Sequence, residues 1–117
     1  MNSTIGEPLS TPPAKPVAVG LVHRPTGTPG PDRSWARSLV VRHARAQGLT
    51  LLHVYEIDDD EARSADVLQR LADTAAHARV SVLVTDGLDL STAAALAREL
   101  GLRHLPVPPA PHRQEHW

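Results

Sequence analysis

The sequence predicts an α/β protein: a small three-layer, doubly wound sandwich around a mostly parallel four-stranded sheet. Three observations carry this. Short apolar runs of strand length alternate with longer stretches of helical periodicity, the pattern of βαβ units, whose right-handed crossovers cover both faces of a parallel sheet. All eleven prolines lie in three blocks, 8–16, 25–31 and 106–111, so residues 32–105 are free of a residue that helix interiors and central strands exclude. Gly48 and Gly101 each follow a helical stretch directly, where a left-handed residue would stop it. The α/β domain is accordingly placed at 17–107, between a disordered Pro-rich tail at 1–16 and a C-terminal tail at 108–117.

The first strand is read at 17–22, where Val17-Ala18-Val19-Gly20-Leu21-Val22 is too short for a helix and runs straight into turn residues. From 32 to 47 a 100° rotation gathers Trp35, Ala36, Leu39, Val40, His43, Ala44 and Ala46 on a core-facing arc, with Val41 out of pattern. Arg37, Arg42 and Arg45 fall on the opposite arc with Ser34 and Ser38. Residues 49–57 are rich in strand formers and predict the second strand. After the acidic run Asp58-Asp59-Asp60-Glu61, a second amphipathic helix at 62–78 places Val67, Leu68, Leu71, Ala75 and Ala78 on one face. A third strand is expected at 80–85, then a helix capped by Asp89 or Ser91 and ending at Leu100. A short fourth strand at 102–107 is confined to an edge by Pro106.

Composition removes several classes of function. The 117 residues contain no cysteine, which excludes disulfides, a thiolate nucleophile and a zinc ribbon. Twelve basic residues nearly balance thirteen acidic ones, so no overall field attracts nucleic acid or an anionic membrane, and any such contact must be local. The first sixteen residues lack the basic and apolar regions of a signal peptide, and no stretch reaches the ~18 apolar residues of a membrane span. The expectation is a soluble, cytoplasmic chain without membrane contact.

In a doubly wound sheet, ligands collect at the carboxyl ends of the strands. The residues there are His23, Arg24 and Thr26 after the first strand, Asp58 to Glu61 after the second, and Asp86 and Asp89 after the third. The loop from His23 to Gly30 enters a helix N-terminus and is a candidate phosphate site through Gly27 and Gly30. It matches no P-loop or dinucleotide fingerprint, and its prolines delete backbone donors. The acidic residues could assemble Mg²⁺ ligands, although acids ahead of a helix also serve as caps. His112-Arg113-Gln114-Glu115-His116 fits the H-x-x-E-H pattern of zinc peptidases, but in a proline-led tail it reads as a chance match. His43, His53, His77 and His104 stand alone. No metal and no cofactor is expected.

Ala44-Arg45-Ala46-Gln47-Gly48, Val54-Tyr55-Glu56-Ile57-Asp58 and the stretch from Val82-Leu83-Val84 to Leu88-Asp89 resemble, in order, a helix end, the second strand and an Asp-bearing turn of the serine recombinase (resolvase and invertase) N-terminal catalytic domain. The resemblance spans Val17 to about Ala97 and implies a resolvase-like fold. It also implies a Ser nucleophile and arginines around a scissile phosphate. Aligned on that family's first strand, this chain has Leu21 at the usual Tyr, His23 at the usual Arg and Pro25 at the nucleophilic Ser. Asp89 matches the family's Asp as a remnant, while the Arg after it is Leu90. The resemblance therefore implies no catalytic residue here and no enzyme activity.

The expected function is that of an inactive resolvase-like domain serving protein interaction, a homodimer, or weak duplex DNA contact, with a link to DNA recombination. The contact candidates are His23, Arg24, Thr26, Arg37, Arg42 and Arg45. The alternatives are a small nucleotide- or phosphate-binding protein and, last, a Mg²⁺-dependent phosphohydrolase.

Overall fold

Four parallel strands and three helices alternate along the chain in the computed structural model, which describes residues 15–108. The expected tails at 1–16 and 108–117 lie almost entirely outside those residues, and the H-x-x-E-H stretch wholly so. Strand β1 is Val17–His23, followed by helix α1, Gly30–Ala46, and strand β2, Thr50–Ile57. Helix α2, Glu61–His77, leads to strand β3, Val82–Asp86. Helix α3, Leu90–Leu100, and strand β4, Arg103–Pro106, complete the domain. No helix among the described residues is long and apolar enough to cross a membrane.

The strand order is β2-β1-β3-β4, so the chain moves one way from β1 to β2 and the other way from β2 to β3. The reversal puts a topological switch point between the carboxyl ends of β1 and β3. Alternation along the strands sorts the core into two halves. Ala18, Val22, Val82 and Val84 meet Ala36, Val40 and Ala44 of α1 on one face. Val19, Leu21 and Leu83 meet Leu71 of α2 and Ala97 of α3 on the other. Gly20 lets α1 lie close on the first face, because a Cβ there would sit 2.7 Å from Val40 Cγ1.

The helix ends follow their local chemistry. Asp60 caps α2 by accepting from the Arg63 amide, and Asp89 caps α3 by accepting from the Thr92 amide. Gly101, at φ +74°, closes α3 in the left-handed conformation, and Gly48, at φ +71°, follows α1.

Two expectations need correction, and one feature of β2 is new. The buried stripe of α1 is Ala36, Val40 and Ala44, and Val41 packs beside it, whereas Trp35 is 41% exposed and Ala46 is exposed. Small side chains at 36, 40 and 44 bring the helix near the sheet, and this rotates the seam away from the indole. Helix α1 also starts at Gly30, because Pro31 needs no amide partner in a first turn. Strand β2 carries an extra residue against β1: Ala18 faces Leu51, but Gly20 faces Val54. This bulge leaves Leu52 and His53 exposed and breaks the alternation of that strand.

Candidate functional site at the sheet switch point

Two adjacent strands deliver the chemistry at the switch point. At the end of β1, Arg24 continues the ladder by donating its amide to the Ile57 carbonyl at 3.1 Å. Its guanidinium reaches across to β3, where Nη2 pairs with Asp86 Oδ2 and Nη1 donates to the His23 carbonyl at 2.8 Å. The side chains of this pair are only 23% and 17% exposed, so the guanidinium is held by its partners rather than by solvent.

Gly87 makes the crossing possible. Its φ is +85°, and a Cβ built on it would overlap both the His23 carbonyl oxygen and Arg24 Nη1. A glycine is required on both counts.

The loop out of β1 is a tight turn. The Thr28 amide donates to the Pro25 carbonyl at 3.1 Å, with Gly27 at φ +92°, and the Thr28 hydroxyl donates to the same carbonyl at 2.6 Å. The Thr26 amide donates to Asp59 Oδ2 at 3.3 Å, and His23 Nε2 lies 3.4 Å from Asp59 Oδ1. The start of α1 offers an anion little. Pro31 has no amide hydrogen, the amides of Asp32 and Arg33 both donate to the Pro29 carbonyl, and the Asp32 carboxylate lies in the same first turn.

The acidic residues are spent on structure. Asp58 pairs with Arg63 at 2.7 Å and accepts from the Asp60 amide, and Asp60 caps α2. Asp89 accepts from the Ser91 hydroxyl at 2.5 Å and from the amide and hydroxyl of Thr92. These bonds hold its carboxyl below the usual carboxylate range, the Ser91 hydroxyl contributing most. Among the described residues, no three His, Asp or Glu side chains converge on one point where a metal could sit.

Above the Arg24–Asp86 pair lies an open cleft of about 580 Å³, walled by Arg24, Thr28, Asp32, Trp35, Asp86, Gly87 and Val107. Of the six contact candidates, His23, Arg24 and Thr26 gather at this edge beside Asp59 and Asp86. The other three, all arginines of α1, do not. Arg37 leans over the sheet edge to pair with Glu56 of β2. The Arg42 guanidinium carbon stands 5.5 Å from the centroid of the Trp35 ring. Arg45 lines a separate depression with Val41, Ala44, Leu49 and Leu51, where β2 begins. Sequence reasoning placed Trp35 in the core and passed over Gly87. Its position directly after a strand-ending Asp was the one available signal.

No family model matches the chain, and no curated protein matches it in sequence. Among solved structures it is similar to the C-terminal catalytic domain of ISC1926 TnpA, an IS607-like serine recombinase. The TM-score is 0.60 at 15% identity, over 85% of this chain and 75% of that one. The resolvase-like α/β fold expected from the sequence is therefore found.

Proposed function

We propose that this chain is a resolvase-like domain that does not cut DNA and works instead by contact with a partner. The observation that carries the reading is the Arg24–Asp86 pair. A guanidinium that is to neutralise a scissile phosphate must be free to face it, and here a carboxylate already occupies Arg24 on the inner side of the cleft. The resemblance puts Pro25 where the nucleophilic hydroxyl belongs, and the nearby Thr28 hydroxyl is donated to the Pro25 carbonyl.

Electrostatics point the same way. Asp32, Asp58, Asp59, Asp60, Glu61, Asp86 and Asp89 stand at this end of the sheet against Arg24, Arg33 and Arg63. A DNA phosphate approaching the edge meets more like charge than opposite charge. The likeness to a serine recombinase catalytic domain supports a setting in DNA recombination.

The test is incubation of the full chain with supercoiled DNA, read for nicks and for a covalent protein–DNA adduct. Neither is expected, with or without Thr26→Ala. An adduct that survives denaturation would overturn the reading, and its loss in Thr26→Ala would identify the attacking hydroxyl.

A further inference from the structure

We infer that the solvent-facing side of α1 binds single-stranded nucleic acid, with Trp35 as the stacking platform and Arg42 and Arg45 as phosphate contacts. The inference rests on the reading above in one respect, that the domain acts by contact; it adds the surface and the chemistry of the partner.

Trp35 is the starting point. The indole is 41% exposed and lies outside the buried seam of its helix. It walls a shallow depression of about 480 Å³ with Ser34, Arg37, Ser38, Val41 and Arg42. The Arg42 guanidinium stands over the ring and brings positive charge to it. Aromatic rings and guanidinium planes are both groups on which unpaired bases stack.

Charge selects the occupant. From Arg33 to Gln47 the helix carries Arg33, Arg37, Arg42 and Arg45 and no carboxylate. Arg37 is paired with Glu56, while Arg42 and Arg45 make no ion pair among the described residues. The stretch from Trp35 to Arg45 is about 15 Å long at 1.5 Å per residue, room for about four nucleotides stacked 3.4 Å apart. The acidic carboxyl edge bounds the surface at one end and steers a phosphate chain along the helix toward Arg45.

A duplex would use the arginines but not the indole, since its bases are already stacked on one another. A protein partner would call for a contiguous apolar centre, and this surface offers one indole and a part-buried Val41 among hydroxyls and guanidiniums.

The experiment uses the full chain carrying Trp117→Phe, which leaves Trp35 as the sole indole. Titration with a short oligothymidine should quench Trp35 fluorescence to saturation, and a duplex of equal length should bind at least tenfold more weakly. Trp35→Ala should weaken binding of labelled oligothymidine about tenfold or more, while Trp35→Phe retains part of the affinity. Arg42→Gln and Arg45→Gln should each reduce the slope of log affinity against log salt by about 0.7. Circular dichroism checks that each variant is folded. Absence of quenching, equal binding by the duplex or by polyglutamate, or a folded Trp35→Ala protein that binds as well as the parent would each overturn the inference. A covalent DNA adduct would instead sink the non-cleaving reading and leave this surface standing, so the two failures are distinguishable.

Discussion

Replacing Gly87 by alanine should be far more damaging than the same change at Gly101, and the difference measures how tightly β1 and β3 are joined at the switch point. Both glycines have positive φ, +85° and +74°, so both substitutions carry the left-handed penalty of about 1–2 kcal/mol, offset in part by about 0.4–1 kcal/mol from a less flexible unfolded chain. A net loss near 1 kcal/mol is therefore expected at Gly101, where a new Cβ has nothing within 4 Å. At Gly87 the Cβ would lie inside 3.0 Å of both the His23 carbonyl oxygen and Arg24 Nη1, with the His23 carbonyl carbon at 3.3 Å.

The guanidinium can swing away only by leaving Asp86. The carbonyl can move only by bending β1 out of its pairing with β2 and β3. Overpacking of this kind costs about 1–3 kcal/mol, and loss of the ion pair adds to it, so Gly87→Ala should exceed Gly101→Ala by about 2 kcal/mol or more. In a domain of this size that is a Tm difference of roughly 8–16 °C. Urea unfolding of the two variants, with unchanged m-values, gives the comparison directly. Equal losses at the two positions would show that the close approach at Gly87 does not constrain the strand ends.

Three further outcomes follow from packing and charge. Arg24→Met should destabilise the domain by about 2 kcal/mol, because it strands a mostly buried Asp86, and Arg24→Met with Asp86→Leu should recover a good part of that; a denaturation double-mutant cycle reads the coupling. Leu71→Ala should cost about 2–5 kcal/mol, since Leu71 is fully buried where α2 meets the sheet, whereas Leu90→Ala, at a residue 64% exposed, should stay within about 0.5 kcal/mol. Asp89→Ala should lower the Tm at neutral pH, while Asp89→Asn, which keeps a capping oxygen, should lower it less. The native Asp89 carboxyl lies below its unfolded value of about 3.8, so its stabilisation is full above that value and fades as pH falls through the native one; the gap between parent and Asp89→Ala should narrow in acid.

Much of the fold is legible in the sequence, for local reasons. Proline exclusion marks where regular structure can lie, Gly48 and Gly101 mark helix ends, and Asp89, one of two cap candidates with Ser91, is the residue that caps α3, because each acts through its own backbone or its nearest neighbours. The resolvase-like fold that the order and spacing of the motifs imply is found as well.

What only the tertiary structure decided are the partnerships between residues distant in the chain. Arg24 and Asp86 are 62 positions apart and meet because the chain reverses direction across the sheet between β2 and β3. Arg37 finds Glu56 across the β2 edge, and Trp35 leaves the core because Ala36, Val40 and Ala44 draw α1 down on a different seam. Periodicity ranks the faces of a helix by their own residues, but the depth of the neighbour decides which face is buried. That depth is set by Gly20 and the valines of other strands, which no window along α1 contains.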